Sequence, residues 1–192
     1  LRRPIRMTLT TQTKKLQPMK RLATSWRSLA LAGLASAFTQ AQTFENADIG
    51  SPALPGSTLA EDSQTTVTGA GADIWGTCDQ FQFFWTQVTG DFDVTVRVES
   101  LEGTHQWAKA ELMVRSPREL GGAPACGDAF YAVMATREAG PNAIGPQWRA
   151  ARDASAASDG TLNVPTQYPD NYLRLVRQGS LLEAYYSFDG TN

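Results

Sequence analysis

The chain has 192 residues, of which 17 are basic and 19 acidic, for a formal net charge of −2. Eight of those basic residues and none of the acidic ones lie in the first 41, so residues 42–192 hold 9 against 19 and carry −10. A part this acidic repels phosphate backbones, which excludes a nucleic-acid partner, and its length fits one domain with a real core.

In chain order, the first element is a leader. Met19-Lys20-Arg21 precedes the apolar run Leu29–Phe38, and small and polar residues follow. A basic head, a short apolar middle and a small-residue exit make a secretory signal peptide. Cleavage after Ala41 is preferred over Ala37, because Gln42 opens a hydrophilic stretch. Residues 1–18 read as an upstream extension, which divides the chain into 1–41 (extension plus signal peptide) and 42–192. The apolar run is about half the ~20 residues of a membrane-spanning helix. The expectation is a secreted, periplasmic or extracellular domain with no membrane span after cleavage.

Past residue 42 no long helical period occurs. Short alternating runs are separated by Gly, Pro, Asn and Asp, the pattern of an all-β, two-sheet antiparallel sandwich. Val67–Gly69 ends at the corner Gly69-Ala-Gly71, and Phe81–Trp85 is an aromatic strand. Thr89-Gly-Asp91 makes a turn into Phe92–Val98, whose apolar set is Phe92, Val94, Val96 and Val98. In Trp107–Arg115 the residues Ala108, Ala110, Leu112 and Val114 point to a core, while Trp107, Lys109, Glu111, Met113 and Arg115 point outward. Phe130–Thr136 has little polar content on either side and reads as a central strand. Gln147–Ala151 is weaker. Tyr172–Arg177 and Leu181–Ser187 form a hairpin through Gln178-Gly-Ser180. Two long loops, 116–128 and 152–171, break the series. Ser187-Phe-Asp-Gly-Thr-Asn192 reads as a turn leading into a further strand, so one or more C-terminal strands and further domains are expected beyond residue 192. Cys78 and Cys126 read most simply as one disulfide in an oxidising compartment; two free thiols or a metal site are the other readings.

Three segments, taken together, resemble the DUF1349-type concanavalin A-like domains of bacterial secreted proteins. They are Gly71–Phe81, Trp107–Arg115, and Tyr172–Gly179 running on to Tyr185–Gly190; Asp48–Ser57 also fits. The resemblance covers about residues 44–192. It implies a two-sheet lectin and glucanase-type jelly roll, exported, set beside carbohydrate-active or adhesive modules. It carries over no catalytic residue. The chain departs from the pattern at Cys78, where Ala or Ser is usual, and at Glu111, where a small Gly is usual.

Sugar binding needs an aromatic platform with polar neighbours. Trp107 with Lys109, Glu111 and Arg97 is the first candidate, Trp75 beside Asp73 the second, and Trp148 with Tyr168 the third; for Trp75, Trp85 and Trp148 the alternative is a core position. Glycosidase chemistry needs two carboxyls, and the only close pair, Asp91-Phe-Asp93, begins in a turn. Lys109 and Arg115 favour the charged form of Glu111, making it a poor general acid; a Lys-Glu-Arg ladder on a solvated face is the plainer reading. His105 stands in a loop beside no nucleophile. Asn46, Asp48 and Asp189 would hold Ca2+ if the terminal strands paired. The leading expectation is a non-catalytic module that binds glycan or cell-surface polysaccharide, or serves a carbohydrate-active or adhesive protein. A polysaccharide hydrolase or lyase using Glu111, and a scaffold with no small ligand, are the alternatives.

Overall fold

A computed structural model describes residues 5–12 (main chain), 43–103, 105–119, 121–137, 144–159 and 164–191. The strands are β1 (Ile5–Gln12), β2 (Glu45–Ile49), β3 (Ser57–Glu61), β4 (Gln64–Gly69), β5 (Phe81–Trp85), β6 (Phe92–Glu102), β7 (Lys109–Ser116), β8 (Ala129–Thr136), β9 (Ile144–Arg149), β10 (Ala157–Ser158), β11 (Asn171–Gln178) and β12 (Leu181–Ser187). No helix occurs among the described residues. Every strand pairing is antiparallel. One sheet has the order β12-β11-β6-β1-β4-β3, a second β10-β9-β8-β7, and β2 pairs with β5 in a third.

The two larger sheets pack face to face. Val96 and Val98 of β6 and Leu173 and Leu175 of β11 meet Ala110 of β7, Val133 and Ala135 of β8, and Ile144 of β9. The alternation read in residues 92–98 and 107–115 is therefore what fills this layer, since in a strand residues i and i+2 share a face. β8 is apolar throughout because both its faces are covered. Val133 and Ala135 join that core, while Phe130 and Ala132 pack with Ile74 and Ala156 in a second apolar cluster. The hairpin of β11 and β12 closes on Gly179, whose φ of 60° lies in the left-handed region that a side chain disfavours.

β2, β3 and β10 carry no clear apolar alternation, and the sequence reading placed no strands there. β3 is an edge strand whose residues are nearly all exposed, so burial writes little pattern into it. Residues 5–12, read as part of an upstream extension, lie in the sheet as β1, antiparallel to both β4 and β6. The signal-peptide reading falls almost wholly on residues 13–42, outside the described residues.

The main departure concerns the outward face of β7. It is covered by a further layer, built from the corner 70–80 and the loop after β7. The disulfide Cys78–Cys126 ties the two together across a sequence separation of 48. The main chain reinforces the tie: Asp79 N–H donates to Cys126 O at 3.0 Å, and Ala156 N–H donates to Gly76 O at 2.7 Å. At the corner, a Cβ on Gly71 would collide with the Gln80 carbonyl, so glycine is needed where the chain turns back on itself.

Candidate functional site

Beneath the corner lies a cluster of charges whose side chains are almost wholly buried. Arg149, on β9, grips Asp79 with both terminal nitrogens, Nη2 to Oδ1 at 2.6 Å and Nη1 to Oδ2 at 2.8 Å. Its remaining donor capacity goes to the carbonyls of Gly76, Cys126, Asp128 and Ala154 at 2.9–3.1 Å. Arg115 of β7 adds a third bond to Asp79, Nη1 to Oδ2 at 2.8 Å, and donates to Ala125 O at 2.7 Å. Both guanidinium groups lie over the Phe130 ring, 5.4 Å and 5.1 Å from its centre. Arginine suits this place because its planar fork binds a carboxylate and carbonyls at once and stacks on an aromatic ring. The sequence reading singled out neither Asp79 nor Arg149. The one available signal was Asp79 following Cys78, which the disulfide carries under the loop.

Lys109 sits at the edge of this layer with its side chain only 7% exposed. Its Nζ donates to Asp73 Oδ1 at 2.7 Å, Ile74 O at 3.1 Å and Gln147 Oε1 at 3.3 Å, which uses all three of its N–H groups. Gln147 also donates to Ile74 O. Lys109 therefore positions the corner and has no donor left for a ligand. It also joins two candidates that the sequence kept apart, since its Nζ lies 5.6 Å from the centre of the Trp75 ring. Trp75 is 43% exposed and Trp107 39% exposed, so the core alternative for Trp75 is not what the fold adopts. Asp73 keeps 43% of its side chain exposed. Trp107, Asp73 and Lys109 all border one cavity of about 1800 Å³. Trp107 N–H is held by His105 Nδ1 at 3.2 Å, and that histidine is exposed.

Glu111, between Lys109 and Arg115 on the same face, corrects the sequence reading. Its two carboxylate oxygens are buried and accept no hydrogen bond among the described residues. Burial pushes its pKa up from 4.5 to about 7; Lys109 pulls it down, Asp79 and Asp73 raise it further, and Arg115 lowers it. Removal from water outweighs the two cations that were expected to keep it charged. Nor is it part of a solvated ladder.

Of the other candidates, Trp148 and Trp85 border the same cavity, whereas Arg97, Tyr168, Asp91 and Asp93 do not. Arg97 lies on the far side of the six-stranded sheet, donating to Pro169 O at 3.1 Å and pairing with Asp170 at 2.8 Å. Tyr168 packs against the main core and its Oη donates to Thr136 O at 2.8 Å. Trp148 is half-buried, in register with Tyr131. Trp85 is half-buried too, stacked on Phe83 with ring centres 5.4 Å apart. Asp91 caps the β11–β12 turn through Gly179 N–H at 2.7 Å, and Asp93 receives two bonds of 2.7 Å from Arg174. These engagements leave the Asp91–Asp93 pair no catalytic geometry.

The condition for the calcium site is not met. β2 pairs with β5 and β12 with β11, so the terminal strands do not pair. Both Asp48 oxygens accept Gly56 N–H at 3.0 Å, and Asn46 Oδ1 accepts Gln82 Nε2 at 3.1 Å. Asp189 is held below the usual carboxylate range by hydrogen bonds from Thr191 and Ser187. Among the described residues no group of three or more His, Cys, Asp or Glu is placed to hold a metal ion. No helix among them is long and apolar enough to cross a membrane. Comparison of the chain with family models, with curated proteins and with solved structures gave no match.

Proposed function

We propose that the chain is an exported, non-catalytic module of the concanavalin A-like jelly-roll type that binds glycan through the corner over β7. The observations that carry this reading are the exposed Trp75 ring, 5.6 Å from Nζ of the Lys109–Asp73 ion pair, and the exposed Trp107, which borders one cavity with that pair. Indole faces match the apolar faces of sugar rings, and a half-exposed carboxylate such as Asp73 accepts bonds from hydroxyls. Lys109 and Glu111 act from below, as positioning residues, and the disulfide holds the corner in place. The test is a polysaccharide pull-down with wild type, Trp75→Ala and Trp107→Ala. Loss of binding in both variants is the expected result; binding equal to wild type in both removes the site.

A second reading is hydrolysis or lysis of polysaccharide, and the observation in its favour is the raised pKa of Glu111, since a general acid works best near ambient pH. Against it, the nearest carboxylates are already engaged, Asp79 by two arginines and Asp73 by Lys109. Glycan turnover that disappears in Glu111→Gln would establish it.

A further inference from the structure

The layer under the corner 70–80 brings together Asp73 and Asp79 from the corner, Lys109, Glu111 and Arg115 from β7, and Arg149 from β9. β8, which pairs with β7 along its whole length, brings no charged residue. Lys109 is engaged with Asp73, and both arginines with Asp79. Glu111 is the exception, its two oxygens buried and unbonded among the described residues. Once ionised, a carboxylate in such a place calls for a donor, because a buried charge without hydrogen bonds is costly. Arg115 keeps an unspent Nε, but its other nitrogens are fixed by Asp79, Ala125 and Cys126. Its guanidinium also lies against the rings of Phe81 and Phe130. Lys109 is the cation able to move, a point charge on a flexible stem two residues from Glu111 on the same face.

Lys109 Nζ has spent all its N–H groups on Asp73, Ile74 O and Gln147, so it can serve Glu111 only by leaving one of them. Ile74 and Gln147 are buried, and no water stands ready to replace the lysine there. Asp73 is 43% exposed, so water can take over its carboxylate. Asp73 is therefore the partner to be given up. The same movement takes the cation from the face of the Trp75 ring, whose centre lies 5.6 Å from Nζ. The far end of the corner is held separately, by the Cys78–Cys126 disulfide and by Asp79, which confines the release to residues 72–75. We propose that the corner is a proton-operated catch. While Glu111 holds a proton, Lys109 fastens Asp73 and Trp75; when Glu111 gives that proton to water, Lys109 turns to it and lets them go. Burial puts the pKa of this carboxyl at about 7, which sets the exchange near neutral pH. The proposal does not depend on the sugar-binding reading, because it concerns the conformation of the corner and not its ligand.

The test follows the Trp75 indole N–H signal of the full chain by NMR from acid to alkaline pH, assigned by its loss in Trp75→Phe. The expected result is one shift of that signal with a midpoint near 7. Glu111→Gln keeps the size of the side chain and cannot ionise, so its Trp75 signal should stay at the acid position throughout. Lys109→Met removes the catch itself, so its signal should stay near the alkaline position at every pH. Histidine also changes charge near neutral pH, and His105 holds the main chain at Trp107. His105→Asn is therefore the control, and the shift should persist in it. A wild-type signal that does not move overturns the proposal. So does a shift that survives in Glu111→Gln or in Lys109→Met, or one that vanishes in His105→Asn.

Discussion

Asp79 and Glu111 lie in the same covered layer on the outward side of β7, both shut off from water, and their surroundings are opposite. Asp79 receives three bonds from Arg149 and Arg115, with Arg149 bound on further to four carbonyls. Glu111 receives none among the described residues, although Lys109 and Arg115 flank it on the same strand. Burial alone does not set the role of a charge; the hydrogen bonds that come with it do. The first carboxylate closes a structural joint, and the second is left to bind a proton.

The largest effect is expected from breaking the joint. Arg149→Ala leaves Asp79 facing Arg115 alone inside the layer, and loss of one partner of a buried pair costs about 3–5 kcal/mol. Denaturant unfolding checks this, and a variant as stable as wild type would mean that the cluster is open to water. Next comes the pH dependence of Glu111. Its carboxyl has a pKa of about 7 when folded against 4.5 ordinarily, so the folded state keeps a proton that the unfolded chain releases. Its contribution is complete below pH 4.5 and is lost as pH rises through 7, by about 3 kcal/mol in all. Glu111→Gln should flatten the stability curve across that window.

A smaller change should follow Lys109→Met, which removes the tie to Asp73 and Ile74 and costs about 1 kcal/mol. Because Lys109 lowers the pKa of Glu111, the same variant should move that titration above 7. Smallest of all, Trp107→Ala should alter stability by no more than about 0.5 kcal/mol, since the indole is exposed, while removing glycan binding.

The core face of β7 was legible because burial on one side leaves a period of two in the sequence, and the same holds for β6 and β11, whereas β8 was legible as an apolar run covered on both faces. The Cys78–Cys126 bridge followed from the number of cysteines and from the oxidising compartment that the leader reading implied. The fate of the other face of β7 was not legible. Lys109, Glu111 and Arg115 look the same whether water or a polypeptide covers them, and the cover comes from residues some thirty positions earlier. Arg149 was missed for a related reason: a lone arginine in a short strand reads as exposed, and its carboxylate lies 70 residues away. Arg97 was grouped with Trp107 because alternation assigns a residue to a face but not to a sheet.

The contrast between the two carboxylates can be read directly by carbon-detected NMR titration of the Glu111 carboxyl, assigned by its loss in Glu111→Gln. A midpoint near 7 is expected. A midpoint near the ordinary 4.5 would mean that water or a hydrogen-bond donor reaches Glu111, contradicting the sealed layer over β7.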